Sequence, residues 1–182
     1  MTTQIALLRA INVGGTKKIT MADLAGFFVA LGFDQVRTIV QTGNVVFVED
    51  SASGAELGET LASEAKSRLG LDTDFFVRSA AEWEAAVAQN PFHMEAESDP
   101  AHLVVMALKD TPDAAAVSAL QAAVQGPELV RAAGNQLYVV YPAGIGRSRL
   151  TLKLIERKLD TRGTGRNWNT VLKIAAAGVV EG

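Results

Sequence analysis

Four groups of side chains in this 182-residue chain have types and spacings that could bind a charged ligand. The first is the run Asn12-Val13-Gly14-Gly15-Thr16-Lys17-Lys18. Gly14 and Gly15 allow backbone N–H groups to turn toward an anion, and Lys17 and Lys18 supply charge. A helix starting just behind adds a partial positive charge, worth about 0.3–1 kcal/mol to a nearby anion. The run lacks the Gly-x-x-x-x-Gly-Lys-Ser/Thr spacing of a Walker A loop. A plain strand-to-helix connection with solvated lysines uses the same residues.

The second group is Gly144-Ile145-Gly146-Arg147-Ser148, expected to follow a strand and open a helix. Exposed N–H groups in that setting bind phosphate, and Arg147 can add a bidentate contact. Ser148 also suits a helix N-cap. The third is Arg166-Asn167-Trp168-Asn169-Thr170. Asn167, Asn169 and Thr170 are helix-capping types, while Trp168 serves either as a core anchor or as a stacking face for a base. The fourth is Arg9, an arginine inside an apolar strand. It must find a carboxylate or carbonyl partner, or else aim into a cleft with Gln41 and Asn44.

Other chemistries find less support. With no cysteine there is no disulfide, thiol nucleophile or thiolate metal site. His93 and His102 are too few for most zinc sites, and neither has an evident partner in the sequence. No paired catalytic carboxylates and no Ser-His-Asp order can be picked out, so no catalytic residue, metal or cofactor is assigned. An enzyme would have to rely on Arg, Lys and amide groups to stabilise developing negative charge. A sequence pI near 5.4 argues against general nucleic-acid binding, as does the missing aromatic pair of an RNA-recognition sheet. Weak nucleic-acid binding and a protein-interaction role remain as alternatives. Residues 147–173 nonetheless carry eight basic side chains against Glu156 and Asp160, a local excess able to attract an anion. No targeting segment or membrane-length apolar run is visible, so the expected setting is soluble and cytoplasmic, with the oligomeric state left open.

These groups need elements to position them. Residues 4–12 read as a strand, and Thr20 as the N-cap of a helix ended by Gly32. Val36–Gln41 and Asn44–Glu49 read as strands around a two-residue Thr42-Gly43 turn. Ser53-x-x-Glu56 opens a helix that Gly70 ends, and 73–78 is a strand. Ser79-x-x-Glu82 opens another helix, stopped at Asn90-Pro91, and 92–101 reads as a junction loop. The order then repeats. A strand over 103–108 precedes a helix capped at Thr111-Pro112, then strands over 128–133 and 136–141 around Gly134-Asn135. A helix over 148–159, a short glycine-rich strand over 163–167 and a last helix over 168–177 complete the chain.

Two β-α-β-β-α-β units predict an α+β protein of duplicated ferredoxin-like subdomains with antiparallel sheets. The boundaries are 1–79, a connecting 80–101, and 102–182; a single larger α+β sheet is the alternative. The first and third strands are expected to run parallel, putting Gly14-Gly15 and Thr42-Gly43 at opposite ends of the first sheet. Tyr138 and Tyr141 are expected half-buried on opposite faces.

The segments "LLRAINVGG", "MADL", "LGF", "VRTIVQTGNVVF", "NPF" and "RNWNTVLK" together resemble the bacterial domain-of-unknown-function 1697 family. The resemblance runs over nearly the whole chain and implies two ferredoxin-like subdomains, in agreement with the element order. It implies no particular activity. The expectation for function is therefore a soluble protein binding a phosphate-bearing or other anionic small ligand between its two subdomains.

Overall fold

The computed structural model describes residues 1–9, 19–50, 52 and 54–179. The chain divides into two units, Met1–Ala85 with Lys173–Gly182, and Ala86–Leu172.

The first unit holds strands β1 (Thr3–Leu8), β2 (Asp34–Thr38), β3 (Asn44–Val48) and β4 (Phe75–Ser79), with helices α1 (Met21–Ala30) and α2 (Gly54–Leu69). Its antiparallel sheet has the order β2-β3-β1-β4. Alternation along the strands sends Ala6, Leu8, Val45, Phe47, Phe75 and Val77 toward the helices, where Leu24, Phe27 and Phe28 of α1 and Leu57, Leu61 and Ala65 of α2 meet them. Phe28 sits edge-on to Phe47, with ring centroids 5.0 Å apart, a favoured aromatic geometry. Helix α2 lies very close to β4. A Cβ on Gly58 would stand 2.7 Å from the Phe75 carbonyl oxygen, and one on Gly54 would stand 2.9 Å from that of Val77.

Helix α3 (Ala80–Ala88) follows β4, and α4 (His93–Ser98) occupies part of the expected junction loop. The second unit then repeats the first with β5 (Leu103–Leu108), α5 (Ala114–Ala123), β6 (Leu129–Ala133), β7 (Gln136–Val140), α6 (Leu152–Leu159) and β8 (Gly163–Asn167). Its antiparallel sheet order is β6-β7-β5-β8. Val104, Met106, Leu108, Leu137 and Val139 pack with Leu120 of α5 and Ile155 and Leu159 of α6. On the outer strand β6, the Val130 carbonyl accepts from the Gln121 amide at 2.8 Å and the Arg131 guanidinium at 3.0 Å. Helix α7 (Trp168–Gly178) ends the described chain. The expected α+β duplication is thus present: two four-stranded sheets among the described residues, each from a β-α-β-β-α-β unit.

Several expectations need correction. Strand β1 runs antiparallel to β3, pairing Thr3 with Val48 and Leu7 with Asn44. In this winding it is β1 and β2 that share a direction, with β3 reversed between them. The β2–β3 turn therefore lies at the exit end of β1, where the Leu8 N–H donates to the Gly43 carbonyl at 2.9 Å. That turn is also longer than two residues. It closes where Ile39 N–H meets the Asn44 carbonyl at 2.9 Å, leaving residues 40–43 as the loop, with Val40 at φ 59°. Residues 92–101, read as irregular, contain α4 and the start of a 3-10 turn, Pro100–His102.

Two caps move. Helix α5 starts after Asp113 rather than at Thr111-Pro112. Helix α6 starts after Thr151, whose hydroxyl accepts the Leu154 N–H at 3.2 Å, so Ser148 is not its N-cap. The Thr20 cap and the Ser79/Glu82 capping box are present as expected. The Ser53 half of the other box lies outside the described residues. Tyr138 and Tyr141 are fully buried rather than half-buried.

Candidate functional site

The basic segment acquires a shape in the second unit. Helix α6 is strongly amphipathic: Ile155 and Leu159 are buried, while Leu154, Arg157 and Lys158, spaced three and four apart, share an outward side. Helix α5 packs on α6. A cleft of about 400 Å³ is lined by Ala123, Val124 and Gln125 at the end of α5, by Glu128, by Arg149 and Leu150, and by that side of α6. Three cations and one carboxylate face it.

Hydrogen bonds fix the cleft's wall. The Ser148 hydroxyl donates to Glu128 Oε1 at 2.6 Å and accepts the Leu150 N–H at 3.0 Å. The Tyr141 hydroxyl donates to the Leu150 carbonyl at 2.9 Å. Burial, and then the negative charge of Glu128, holds the Tyr141 hydroxyl well above its ordinary pKa, so it remains a donor at neutral pH. Arg149 donates to the Gln125 side-chain oxygen at 3.1 Å. Arg149, Arg157 and Lys158 form no ion pair with any described residue. Three exposed cations thus line one cleft.

A second cleft, of about 440 Å³, shares Arg157 and is lined further by Lys109, Asp110, Glu156, Asp160, Thr161 and Arg162. Backbone pairing builds it: the Lys109 N–H donates to the Arg162 carbonyl at 2.8 Å. Asp110 and Thr161 lock together, Asp110 N–H to Thr161 Oγ1 at 3.0 Å and the Thr161 hydroxyl to Asp110 Oδ2 at 3.2 Å. Among the described residues no group of three His, Asp or Glu side chains is placed to hold a metal ion, and no helix is long and apolar enough to cross a membrane.

Comparison with known proteins shows the family and the fold. The profile of the family described as "Protein of unknown function (DUF1697)" matches residues 1–138, three quarters of the chain. The chain belongs to the DUF1697 family. A solved structure, that of conserved bacterial protein SP0830 from Streptococcus pneumoniae, is similar to this DUF1697 chain with a TM-score of 0.77. The two are 23% identical, and the alignment covers 98% of this chain and 99% of that one. At that identity the likeness is one of fold. No curated protein matched. The family match takes in the Gln125 and Glu128 wall of the first cleft and ends before Arg149 and α6.

The side chains singled out from the sequence are spread over both units. Asn12, Gly14, Gly15, Lys17 and Lys18 lie outside the described residues. Arg9, half-buried, pairs with Asp74 at 3.6 Å, and its carbonyl accepts the Thr73 hydroxyl at 2.6 Å. Asn44 is fully buried, and its amide donates to the Ile39 carbonyl and the Thr42 hydroxyl, each at 2.8 Å. Gln41 is exposed in the same turn. Arg147 is exposed on a 3-10 turn, Ile145–Arg147, which contains Gly146 and stands between Gly144 and α6. Ser148 takes part in the wall of the first cleft.

Arg166 is buried on β8, with its guanidinium donating to the Thr164 hydroxyl at 2.8 Å and the Gly165 carbonyl at 2.9 Å. Burial pushes its pKa down to about 10. The Asn167 side chain accepts the Thr170 N–H at 3.0 Å, capping α7, while Trp168 is buried and Asn169 exposed. Sequence reasoning noticed the basic excess around Arg149, Arg157 and Lys158 without assigning them to a site, and missed Gln125, Glu128, Lys109 and Asp110. It also missed the contact between His102 Nδ1 and Asp99 Oδ2 at 2.8 Å, three residues apart.

Proposed function

We propose that this is a soluble cytoplasmic protein that binds a small phosphate-bearing or other anionic ligand in the first cleft, against Arg149, Arg157 and Lys158. One observation carries the reading: three cations without carboxylate partners among the described residues line one concave space beside a single acid. A unit charge about 4 Å from another gains roughly 1 kcal/mol in water and roughly 4 kcal/mol at a partly shielded surface. Three such contacts support binding in the micromolar to millimolar range once association and ordering costs are subtracted. Arginine's planar fork suits phosphate oxygens, and Gln125 holds Arg149 within reach of the space.

Isothermal titration with inorganic phosphate and pyrophosphate at low ionic strength tests this. Saturable binding in the wild type, weakened by Arg157→Ala, is the expected result. An absence of heat at low salt, or equal binding by an Arg149→Ala, Arg157→Ala double variant, would sink it.

A further inference from the structure

The two clefts meet at Arg157, and their linings differ in kind. The first carries a positive excess. In the second, Lys109, Arg157 and Arg162 are matched by Asp110, Glu156 and Asp160. Equal numbers of opposite charges give little net attraction to an isolated ion of either sign. A second phosphate would face three carboxylates, and an apolar group would strip water from charged side chains with nothing in return. A row of hydroxyls fits this mixture. Each hydroxyl donates one hydrogen and accepts others, so it can donate to a carboxylate and accept from an ammonium or guanidinium without bringing charge.

From this we infer that the ligand is a phosphorylated polyol of the sugar-phosphate class. Its phosphate lies against Arg149, Arg157 and Lys158, and its hydroxyls enter the second cleft. The inference rests on the anion-binding reading and adds the chemistry of the ligand's other end. Arg157 joins the two halves, because a guanidinium has five donors in a flat fork and can serve a phosphate oxygen with one edge and a hydroxyl with another. The Asp110–Thr161 lock holds one corner of the second cleft in place before any ligand arrives. Each cleft, at about 400 and 440 Å³, falls within the size range of small-molecule pockets.

The test is isothermal titration of the full chain with inorganic phosphate, ribose 5-phosphate, free ribose and phosphoethanolamine. The proteins are the wild type, Arg149→Ala and Asp160→Asn. Asp160 has φ 52°, a conformation that asparagine also tolerates, so Asp160→Asn keeps the backbone while removing a carboxylate. Ribose 5-phosphate is expected to bind about ten-fold more tightly than inorganic phosphate, the equivalent of one or two net hydrogen bonds. Asp160→Asn should remove most of that gain without weakening inorganic phosphate, whereas Arg149→Ala should weaken both ligands by a similar factor. Equal affinity for ribose 5-phosphate and inorganic phosphate overturns the inference while leaving anion binding intact. So does phosphoethanolamine binding as tightly as the sugar phosphate, or an Asp160→Asn variant that keeps the full gain. Failure of every phosphate compound to bind overturns both readings together.

Discussion

Arg78 and Arg166 hold the same place in the two sheets: Arg78 stands opposite Ile5 of β1, and Arg166 opposite Val105 of β5. Both are buried, and each guanidinium donates to the carbonyl of the residue before it, at 3.0 and 2.9 Å. Burial lowers the pKa of both, with Glu82 opposing the shift at Arg78. The correspondence continues to the strand ends. Leu8 N–H bonds the Gly43 carbonyl as Leu108 N–H bonds that of Asn135, both at 2.9 Å. Arg9 N–H bonds the Asp74 carbonyl as Lys109 N–H bonds that of Arg162. The two units therefore match position by position along these strands.

The glycines of α1 and α2 predict opposite responses to alanine. Gly58→Ala puts a Cβ 2.7 Å from the Phe75 carbonyl oxygen, a contact that only backbone movement relieves. We expect a loss of about 1–3 kcal/mol. Gly26, in α1, has nothing within 4 Å of its virtual Cβ, and Gly26→Ala should gain about 0.5–1 kcal/mol from helix propensity alone. Urea midpoints of the two variants, measured against the wild type, check both signs.

The turn after β2 stores strain. Val40 is β-branched at φ 59°, a backbone region that costs such residues on the order of 1–2 kcal/mol. Val40→Gly is expected to raise the thermal midpoint slightly, by roughly 2–4 °C per kcal/mol relieved in a chain of this size. Asn44→Ala should lower it, since the Ile39 carbonyl and the Thr42 hydroxyl each lose the bond from the Asn44 amide, a cost of about 1–3 kcal/mol. Thermal denaturation of the two variants would show the strain to be absent if Val40→Gly only destabilised.

Alkaline pH sets two buried groups against each other. Burial raises the Tyr138 hydroxyl to about 12, and its O–H donates to the Ala86 carbonyl at 2.5 Å. A folded value above the unfolded one means the contribution is complete below about pH 10 and is lost as pH climbs toward 12. Arg166 has the opposite sign: its folded value, about 10, lies below the unfolded one, so the unfolded chain binds more protons above pH 10 and stability gains there. Tyr138→Phe should therefore flatten the fall in stability between pH 10 and 12, and Arg166→Met should steepen it. Denaturant titrations at pH 8, 10 and 11, the grid this comparison needs, would refute the assignment if the two variants changed the slope in the same direction.

Binding in the first cleft should be sensitive to salt, because Arg149, Arg157 and Lys158 are exposed. The screening length shortens from roughly 30 Å at 0.01 M to roughly 8 Å at physiological ionic strength. Phosphate affinity is expected to fall several-fold over that range, and to fall less in Arg149→Ala, which has one cation fewer. An affinity indifferent to salt would place the bound phosphate elsewhere.

Much of the fold could be read from local chemistry. Thr20 and the Ser79/Glu82 pair are caps made within three residues, and Gly134-Asn135 is a two-residue turn with Gly134 at φ 58°. Such features depend only on neighbours in the chain. Part of what failed depended on distance. The direction of β1 against β3 is a property of the whole sheet. Strand β8 lies where it was expected despite its glycines, and a Cβ on Gly163 or Gly165 would stand 2.9 Å from Leu108 or Val104 of β5, a closeness that favours small residues there. Ser148 was read as suiting a helix N-cap, but its hydroxyl goes to Glu128, twenty residues earlier, and Thr151 caps α6. The cleft itself joins the end of α5 to α6, and no spacing rule links Gln125 to Lys158.

The doubly engaged oxygen of Val130 bears on how the molecule behaves in a crowd. With that acceptor of the outer strand occupied by Gln121 and Arg131, a foreign backbone aligning along this flank meets a missing rung and two polar side chains in its way. Addition of a further strand is therefore disfavoured at that rung of the flank.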